Sequence, residues 1–473
     1  MEKYLQVFRD KLYYLVLGLF VFIPLYPKFP LFKVPGTYVA IRLEDIYIAF
    51  VIGLFILINL NKLKNLWRLS ITQAVLLYWA IGALSLYSGI FLTQTVTPHL
   101  GFLHFLRRVE SMSLFFISWY VFQTFGQIKL WLKVMLLTTL FIIIYGFGQQ
   151  WLSFPVISTT NKEFSRGLIL FLTPDARVNS TFAGHYDLAA YLAAFLSVIS
   201  ALIIYLRKDK KIIAAVTALL AFILLAMTAA RISFVAAVVG ITSILWLSNK
   251  RKLILLLVFL ILVAFAIFPE LRHRTVATLT VNLLDGGGPK YTLPPQKENP
   301  TKHFSIENAA TGAATPSGVP VDIAPGEPIN TTELGVYRSF GIRLNEEWPR
   351  AIRAFFKNPI LGTGYSSISI ATDNDILRQL GETGLLGFTS FFLIWFILIK
   401  RIWFFVKQRS RTLIYYLCLG GMAALAALLL NALFIDILES SKIGELLWLF
   451  LGVLFAAIDI ESGKTLVRRM KVS

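Results

Sequence analysis

The chain has 473 residues, of which 57% are hydrophobic and 15% charged, with a mean hydropathy of +0.70. A soluble domain carries about a quarter of its residues as charges, so water is excluded as the main solvent. The formal net charge of +19 does not indicate nucleic acid, because the basic residues recur in alternate connections between apolar stretches and do not form one soluble face.

A hydrocarbon core about 30 Å thick needs roughly 20 apolar residues per helix. About twelve stretches qualify, at 12–26, 39–60, 71–92, 99–125, 130–152, 182–206, 211–228, 231–248, 252–268, 384–406, 412–435 and 443–460. The expected fold is therefore an all-α polytopic membrane protein. The first stretch is short, but Pro24, Pro27 and Pro30 follow it in place of a small-residue cleavage site, which predicts a retained helix.

Lys3, Arg9 and Lys11 begin the basic series. It continues through Lys62, Lys64 and Arg68, Lys129 and Lys133, Arg207 to Lys211, Lys250 to Lys252 and Lys400 to Arg411, and ends with Lys464, Arg468, Arg469 and Lys471. The positive-inside rule puts these connections and both termini in the cytoplasm, so the long segment 269–383, between the ninth and tenth helices, faces outside. The chain is thus expected to comprise a first membrane domain (residues 1–268), an external loop (residues 269–383) and a second membrane domain with a cytoplasmic tail (residues 384–473). Within the loop, 282–335 is rich in Gly, Pro, Ala and Thr and reads as a mobile flap, whereas 343–383 reads as helical. Trp348, Ile352, Phe355 and Phe356 form the stripe of an amphipathic helix, with Pro349 at its start or at a kink. Asn358-Pro359 stops it, Gly362 and Gly364 turn the chain, and Thr372-Asp373-Asn374-Asp375 has the spacing that opens a second short helix up to Gly381. Gly384 begins the next membrane helix.

On this topology Arg42, Glu44, Asp45, Arg177, His185, Asp187, Arg231, Asp436, Glu439 and Lys442 gather near the outer rim. Arg231 starts a helix, where its guanidinium and the free N–H groups of the helix end suit an anion; an interfacial arginine snorkelling to lipid headgroups fits the same position. Arg107, Arg108 and Glu110 lie about two turns inside the fourth helix, where an unpaired charge costs at least about 2.5 kcal/mol. They read either as functional groups or as an internal Arg107–Glu110 pair that leaves Arg108 to a polar neighbour. His185 reads as a structural hydrogen-bonding group or a site residue beside Asp187. His99, His104, His273 and His303 are isolated, and no zinc, phosphate-loop or nucleophile-elbow motif occurs. The single cysteine, Cys418, rules out an intrachain disulfide and lies in an apolar stretch where packing is its expected role. No compact carboxylate cluster suited to magnesium is expected at the rim.

Three stretches together resemble the O-antigen ligase and polymerase superfamily, multi-spanning glycosyltransferases that use polyprenyl-diphosphate-linked glycans. The strongest is Asn358-Pro359-Ile360-Leu361-Gly362-Thr363-Gly364, followed by Asp373-Asn374-Asp375-Ile376-Leu377 and Glu382-Thr383-Gly384-Leu385-Leu386-Gly387, against the family's NPxxGxG, HNxxL and ExGLLG. The others are Arg343-Leu344-Asn345-Glu346-Glu347-Trp348 and the arginine turn Thr228-Ala229-Ala230-Arg231-Ile232-Ser233, and Arg177 to Leu192 is similar to the family's Ser-Thr-Phe segment. One departure is that Asp373 stands where ligases carry the histidine proposed as catalytic base. Asp373 is thus a candidate base beside Asn374, or a helix cap.

The resemblance implies transfer of a glycan from a polyprenyl-diphosphate carrier to an acceptor hydroxyl on a glycan or lipid, at the outer face of the bacterial cytoplasmic membrane, during surface polysaccharide assembly. It implies no cofactor and no metal; the partners are the donor, the acceptor and membrane lipids. Arginine forks suit the departing diphosphate: Arg231 and Arg343 first, Arg338 and Arg177 next, with Arg107 or Arg108 meeting it from the bilayer side and Glu382 a further candidate. A transporter or flippase for lipid-linked oligosaccharide is the rival reading, although such folds usually carry paired repeats and mid-membrane sites, which this chain lacks. A non-catalytic assembly or binding protein is a third.

Overall fold

The computed structural model describes residues 2–27, 29–35, 40–157, 169–172, 176–281, 331–368, 372–438, 441–463 and 465–469. Its elements run α1 (Glu2–Leu25), β1 (Pro30–Lys33), β2 (Ala40–Arg42), α2 (Leu43–Asn59), α3 (Leu63–Leu66), α4 (Ser70–Phe91), α5 (Pro98–Val121), α6 (Phe125–Trp151), β3 (Val156–Ile157) and β4 (Ile169–Leu170). They continue with α7 (His185–Tyr205), α8 (Lys208–Met227), α9 (Arg231–Leu247), α10 (Lys252–Ile267), α11 (Pro269–Thr280), α12 (Thr331–Ile342), α13 (Trp348–Lys357), α14 (Asp375–Lys407), α15 (Leu413–Ala432), α16 (Ser441–Glu461) and α17 (Leu466–Arg469). The strands make two small antiparallel hairpins, β1–β2 and β3–β4.

The protein is an all-helical membrane protein. Among the described residues seven helices, α4, α6, α7, α8, α14, α15 and α16, are long and apolar enough to cross a bilayer, or eight if α10 and α11, bent by 100° at Phe268, make one span. Each of the twelve expected stretches contains a helix, although the described part of 39–60 opens on β2 and 182–206 becomes helical only at His185; α2, α9 and α10 are shorter than the crossing length, and α5 carries Arg107, Arg108 and Glu110 near its middle. Of the expected flap 282–335, residues 282–330 lie outside the described residues and 331–335 open α12.

The bundle core joins α7 to α9 and α15, and α16 to α5. With no water to expel between helices, close approach and hydrogen bonds hold them. A Cβ at Gly452 of α16 would sit 2.4 Å from the Phe115 carbonyl of α5. The Ser118 hydroxyl donates to the Leu449 carbonyl at 2.8 Å, and Trp119 Nε1 donates to Asp459 at 2.8 Å. Asp459 is also paired with Arg401. Ser233 on α9 donates to Asn431 of α15 at 2.6 Å.

The segment between α11 and α14 is tied to this bundle by a backbone clasp. After α13, residues 358–364 run alongside the end of the short helix that opens α14. Thr363 and Gly364 N–H donate to the Gly381 and Glu382 carbonyls at 3.1 and 2.8 Å, and Leu385 and Leu386 N–H donate to the Pro359 and Ile360 carbonyls at 2.8 and 3.2 Å. Gly362 and Gly384 adopt φ of 69° and 64°, and a Cβ on either would lie 2.5 Å or less from the opposite backbone. Only glycine satisfies both conditions at once. Gly384 is also where α14 breaks, so the expected short helix and membrane helix meet there. Side chains of α4 and its following loop hold the clasp: Ser85 Oγ donates to the Glu382 carbonyl at 2.7 Å, Thr95 Oγ1 to the Thr363 carbonyl at 2.6 Å, and Asn358 Nδ2 to Ser88 Oγ at 2.9 Å. Tyr78 donates to Gln379 at 3.1 Å.

Gly384→Ala and Gly362→Ala are expected to cost about 2–3 kcal/mol each through strain and clash. Thermal denaturation in detergent should show a clear fall in Tm for both, with Gly53→Ala, where the new methyl meets nothing within 4 Å, as the near-neutral control.

Candidate functional site

The clasp delivers residues 372–378 to the end of the bundle, where one carboxylate organises them. Asp436, just beyond α15, accepts from the Thr372 N–H at 2.8 Å, from the Asn374 N–H at 3.1 Å and from Arg378 Nη1 at 2.9 Å. Arg378 also reaches Glu382 at 3.5 Å and donates to the Ile368 carbonyl at 2.8 Å. Asp375 accepts from the Leu438 N–H at 2.9 Å, closing the same connection from its other side. Asn374 is the cap of α14: its Oδ1 accepts from the Ile376 and Leu377 N–H groups at 3.1 and 2.9 Å. Of the two residues considered for catalysis, Asn374 thus has its side-chain oxygen engaged in holding the helix end.

Asp373 is held differently. It has φ of 47°, and its Oδ2 accepts from Arg343 Nη2 at 2.5 Å. Arg343 lies in a single π-helical turn, Arg343–Glu347, between α12 and α13, and is 8% exposed. Its Nη1 donates to Ser339 Oγ at 2.6 Å, while its Nε is buried without a hydrogen-bond partner. Glu347, on the same turn, is buried, and its Oε2 has no partner. Burial, reinforced by the Asp373 charge and opposed by Arg343, pushes the Glu347 carboxyl up to about 7. Burial also holds Asp373 above its ordinary value, against the pull of Arg343.

A second group of side chains is cationic. Arg231, at the first position of α9, donates to the Arg274 carbonyl at 3.3 Å and to the Thr278 hydroxyl, both on α11. Its guanidinium lies within electrostatic reach of Arg274, Arg343 and Arg177, with Tyr186 close by. Arg177 donates to His185 Nε2 at 2.5 Å, so that ring nitrogen is unprotonated and His185 is neutral. His185 and Asp187 occupy the first turn of α7. Arg274 pairs with Glu270 at 3.4 Å, one turn earlier. Four arginines from 177, α9, α11 and the π turn therefore converge. Arg338 lies exposed on α12.

Sequence reasoning missed Arg274, having treated everything after 268 as loop. Pro269 at a helix start, with Glu270 and Arg274 spaced i, i+4, was the signal available.

α5 presents its two arginines to different surroundings. Arg107 pairs with Asp45 of α2 at 3.0 Å, so the internal Arg107–Glu110 bridge considered from sequence is not its closest partner. Arg108 lies over the Tyr365 ring, 5.9 Å from its centroid, within electrostatic reach of Asp375 and Glu382. Behind Arg107, oxygens of Glu44, Asp45 and Glu445 lie within 4.8 Å of one another. This corrects the expectation that the rim holds no compact carboxylate group. The α2 and α16 ends bring together residues some 400 positions apart, and the all-oxygen set is one that a hard cation would accept. Arg42, at 3.2 Å from Glu44, and Arg107 supply positive charge to it. Lys442 is fully buried and donates to the Pro24 and Thr181 carbonyls at 3.3 and 2.8 Å, a structural tie between α1, α16 and the segment before α7. Glu439 and His303 lie outside the described residues.

Residues 216–392 match the family described as O-antigen ligase. The match runs from α8 into α14 and takes in Arg231, Arg274, Arg343, Glu347 and the clasp, so this part of the chain is similar to that family. Among curated proteins none matches the chain.

Replacing Asp436 by Ala removes three acceptor contacts at once. Hydrogen–deuterium exchange should accelerate at residues 372–378 by at least about tenfold, since each buried, charge-assisted bond is worth roughly 1.5–3 kcal/mol, while exchange in α16 stays unchanged.

Proposed function

We propose that this protein transfers a glycan from a polyprenyl-diphosphate carrier to an acceptor hydroxyl, at the outer face of a bacterial cytoplasmic membrane with both termini inside. The observation that carries the reading is the convergence of Arg177, Arg231, Arg274 and Arg343. Guanidinium groups that repel one another, with Glu270 and Asp373 the paired acids nearby, form a site for an anion of more than one charge. The family match supports diphosphate as that anion.

In the reaction the acceptor oxygen attacks the anomeric carbon, the bond from that carbon to the diphosphate oxygen breaks, and the electron pair leaves on the diphosphate. The arginine forks neutralise charge that grows as this bond breaks, which lowers the barrier more than it tightens substrate binding. The buried Nε of Arg343 is a donor left open for such an oxygen.

The acceptor proton needs a base. Asp373, the residue at the position of the family histidine, is engaged with Arg343 at 2.5 Å, an arrangement that suits it to positioning the guanidinium. Glu347 lies on the same turn, buried, with a free oxygen and an affinity for protons matched to neutral pH. We assign it the proton-accepting role and give Asp373 the orienting one.

The assay is purified protein in vesicles with a polyprenyl-diphosphate oligosaccharide. New glycosidic product supports transfer; movement of the lipid between leaflets without new bonds supports a flippase instead. Arg231→Ala, Arg274→Ala and Arg343→Ala should each lower product formation about 10²–10³-fold with membrane insertion intact, and normal product from all three would overturn the diphosphate site.

A base must be ionised to act, so turnover should rise with pH and reach half its plateau near 7, where Glu347 titrates. Glu347→Gln should remove this rise along with most of the rate. Asp373→Asn should lower the rate and keep the rise, moved to lower pH because the Asp373 charge that helps raise Glu347 is gone; loss of the rise in Asp373→Asn with its retention in Glu347→Gln would return the base to Asp373.

A further inference from the structure

Away from this site, α1, α6, α7, α8, α15 and α16 enclose a cavity of about 810 Å³. Its walls are apolar: Phe20, Trp131, Leu425, Ile443 and Phe450 line it, and the hydroxyl of Tyr191, which also lines it, is taken up by Thr139 at 2.8 Å. One end is different. Lys129, Lys133, Arg207 and Lys210, from the start of α6 and the α7–α8 connection, all border the cavity there. Among the described residues no carboxylate lines it.

The length of the cavity follows from the helix that forms its wall. Tyr191 and Tyr205 both line it on α7, and fourteen residues at 1.5 Å each make about 21 Å. That exceeds the half-thickness of a hydrocarbon core, about 15 Å. A volume with so few polar partners does not hold ordered water, and left empty it would forfeit the dispersion contacts of its lining. The occupant that satisfies both ends has a long apolar chain and a negatively charged head. Basic pockets between membrane helices are a recurring form of lipid recognition.

We propose that this cavity is a binding site for an anionic phospholipid, with acyl chain along α7 and phosphate head among Lys129, Lys133, Arg207 and Lys210. The site is independent of the glycan-transfer reading, since no residue of the arginine cluster borders it. Its basic end leads away from the clasp, because α7 begins beside Arg177 and ends at Tyr205.

The test uses the full chain, stripped of lipid in detergent and titrated with phosphatidylglycerol, phosphatidylethanolamine or a polyprenyl monophosphate under native mass spectrometry, with Tm read in parallel. Phosphatidylglycerol should bind at one retained copy and raise Tm, with phosphatidylethanolamine at least tenfold weaker. The combined variant Lys129→Gln, Lys133→Gln, Arg207→Gln and Lys210→Gln should bind phosphatidylglycerol at least tenfold more weakly. Should that variant misfold, a photoactivatable phosphatidylglycerol on the unmodified chain keeps the test open: crosslinks confined to the cavity-lining residues of α1, α6, α7, α8, α15 and α16 and of the α7–α8 connection support the site. Equal binding of the zwitterionic lipid, preference for the polyprenyl phosphate, undiminished binding to the neutralised variant, or crosslinks spread over the whole lipid-facing surface would each overturn it.

Discussion

At Gly362 and Gly384 two lengths of backbone approach within a distance that excludes any side chain, and four N–H···O=C bonds cross between them. Everything external that is described beyond α12 hangs from this contact. The first length follows α13, whose Ala351 carbonyl packs against Gly381, and the second leads straight into the membrane-crossing part of α14. A loop pinned in this way has little freedom to lose, so the cap at Asn374 and the three bonds to Asp436 can hold residues 372–378 in one arrangement. Pre-organisation of this kind is what a transfer reaction requires of the groups that meet its transition state.

The charges near that loop are sorted, not mixed. Carboxylates of α2 and α16 cluster on one side of α5 with Arg107, whereas Arg108 faces the acids of the short helix opening α14. The arginines of α9, α11 and the π turn form a third group, in which Arg343 pairs with Asp373 and Arg274 with Glu270, and Arg231 has Arg177, Arg274 and Arg343 as charged neighbours. Burying like charges together is costly unless an opposite charge arrives, and the diphosphate of the proposed donor would supply it. The segregation thus leaves the cationic group available to a ligand, whereas mixing it with the acids of α2 would have neutralised it from within.

Helix positions were legible from apolar length alone, because a bilayer imposes one requirement on every span. The clasp was legible as a pair of glycine motifs, with Gly362 and Gly364 as a turn and Gly384 as a helix start, but the contact between Gly362 and Gly384 was not, since nothing in local pattern says which carbonyl a distant N–H will meet. Arg231 and Arg343 were recognised from their helix start and their motif. Arg274 was hidden by the sharp bend at Phe268, which turned an apparent loop into α11 and set it against α9. The carboxylates at 44 and 45 were visible at the rim, but Glu445, inside the last apolar stretch, was not singled out, and the convergence of the three depends on helices from opposite ends of the chain.

The substitution of aspartate for histidine at 373 has a physical logic in this setting. A neutral imidazole is a base near pH 7 on its own and needs no help from burial. A carboxylate at the same place, next to Arg343, forms an ion pair, and the pair then fixes the guanidinium's orientation. Loss of the histidine leaves the proton without an acceptor unless another group is tuned toward neutrality. Glu347 is so tuned because it sits on the turn that carries Arg343, close to the negative charge of Asp373 and shielded from water. In the proposed reaction Asp373 therefore acts twice, by holding the arginine and by raising the proton affinity of its neighbour, and the two carboxylates would together perform what one imidazole performs alone.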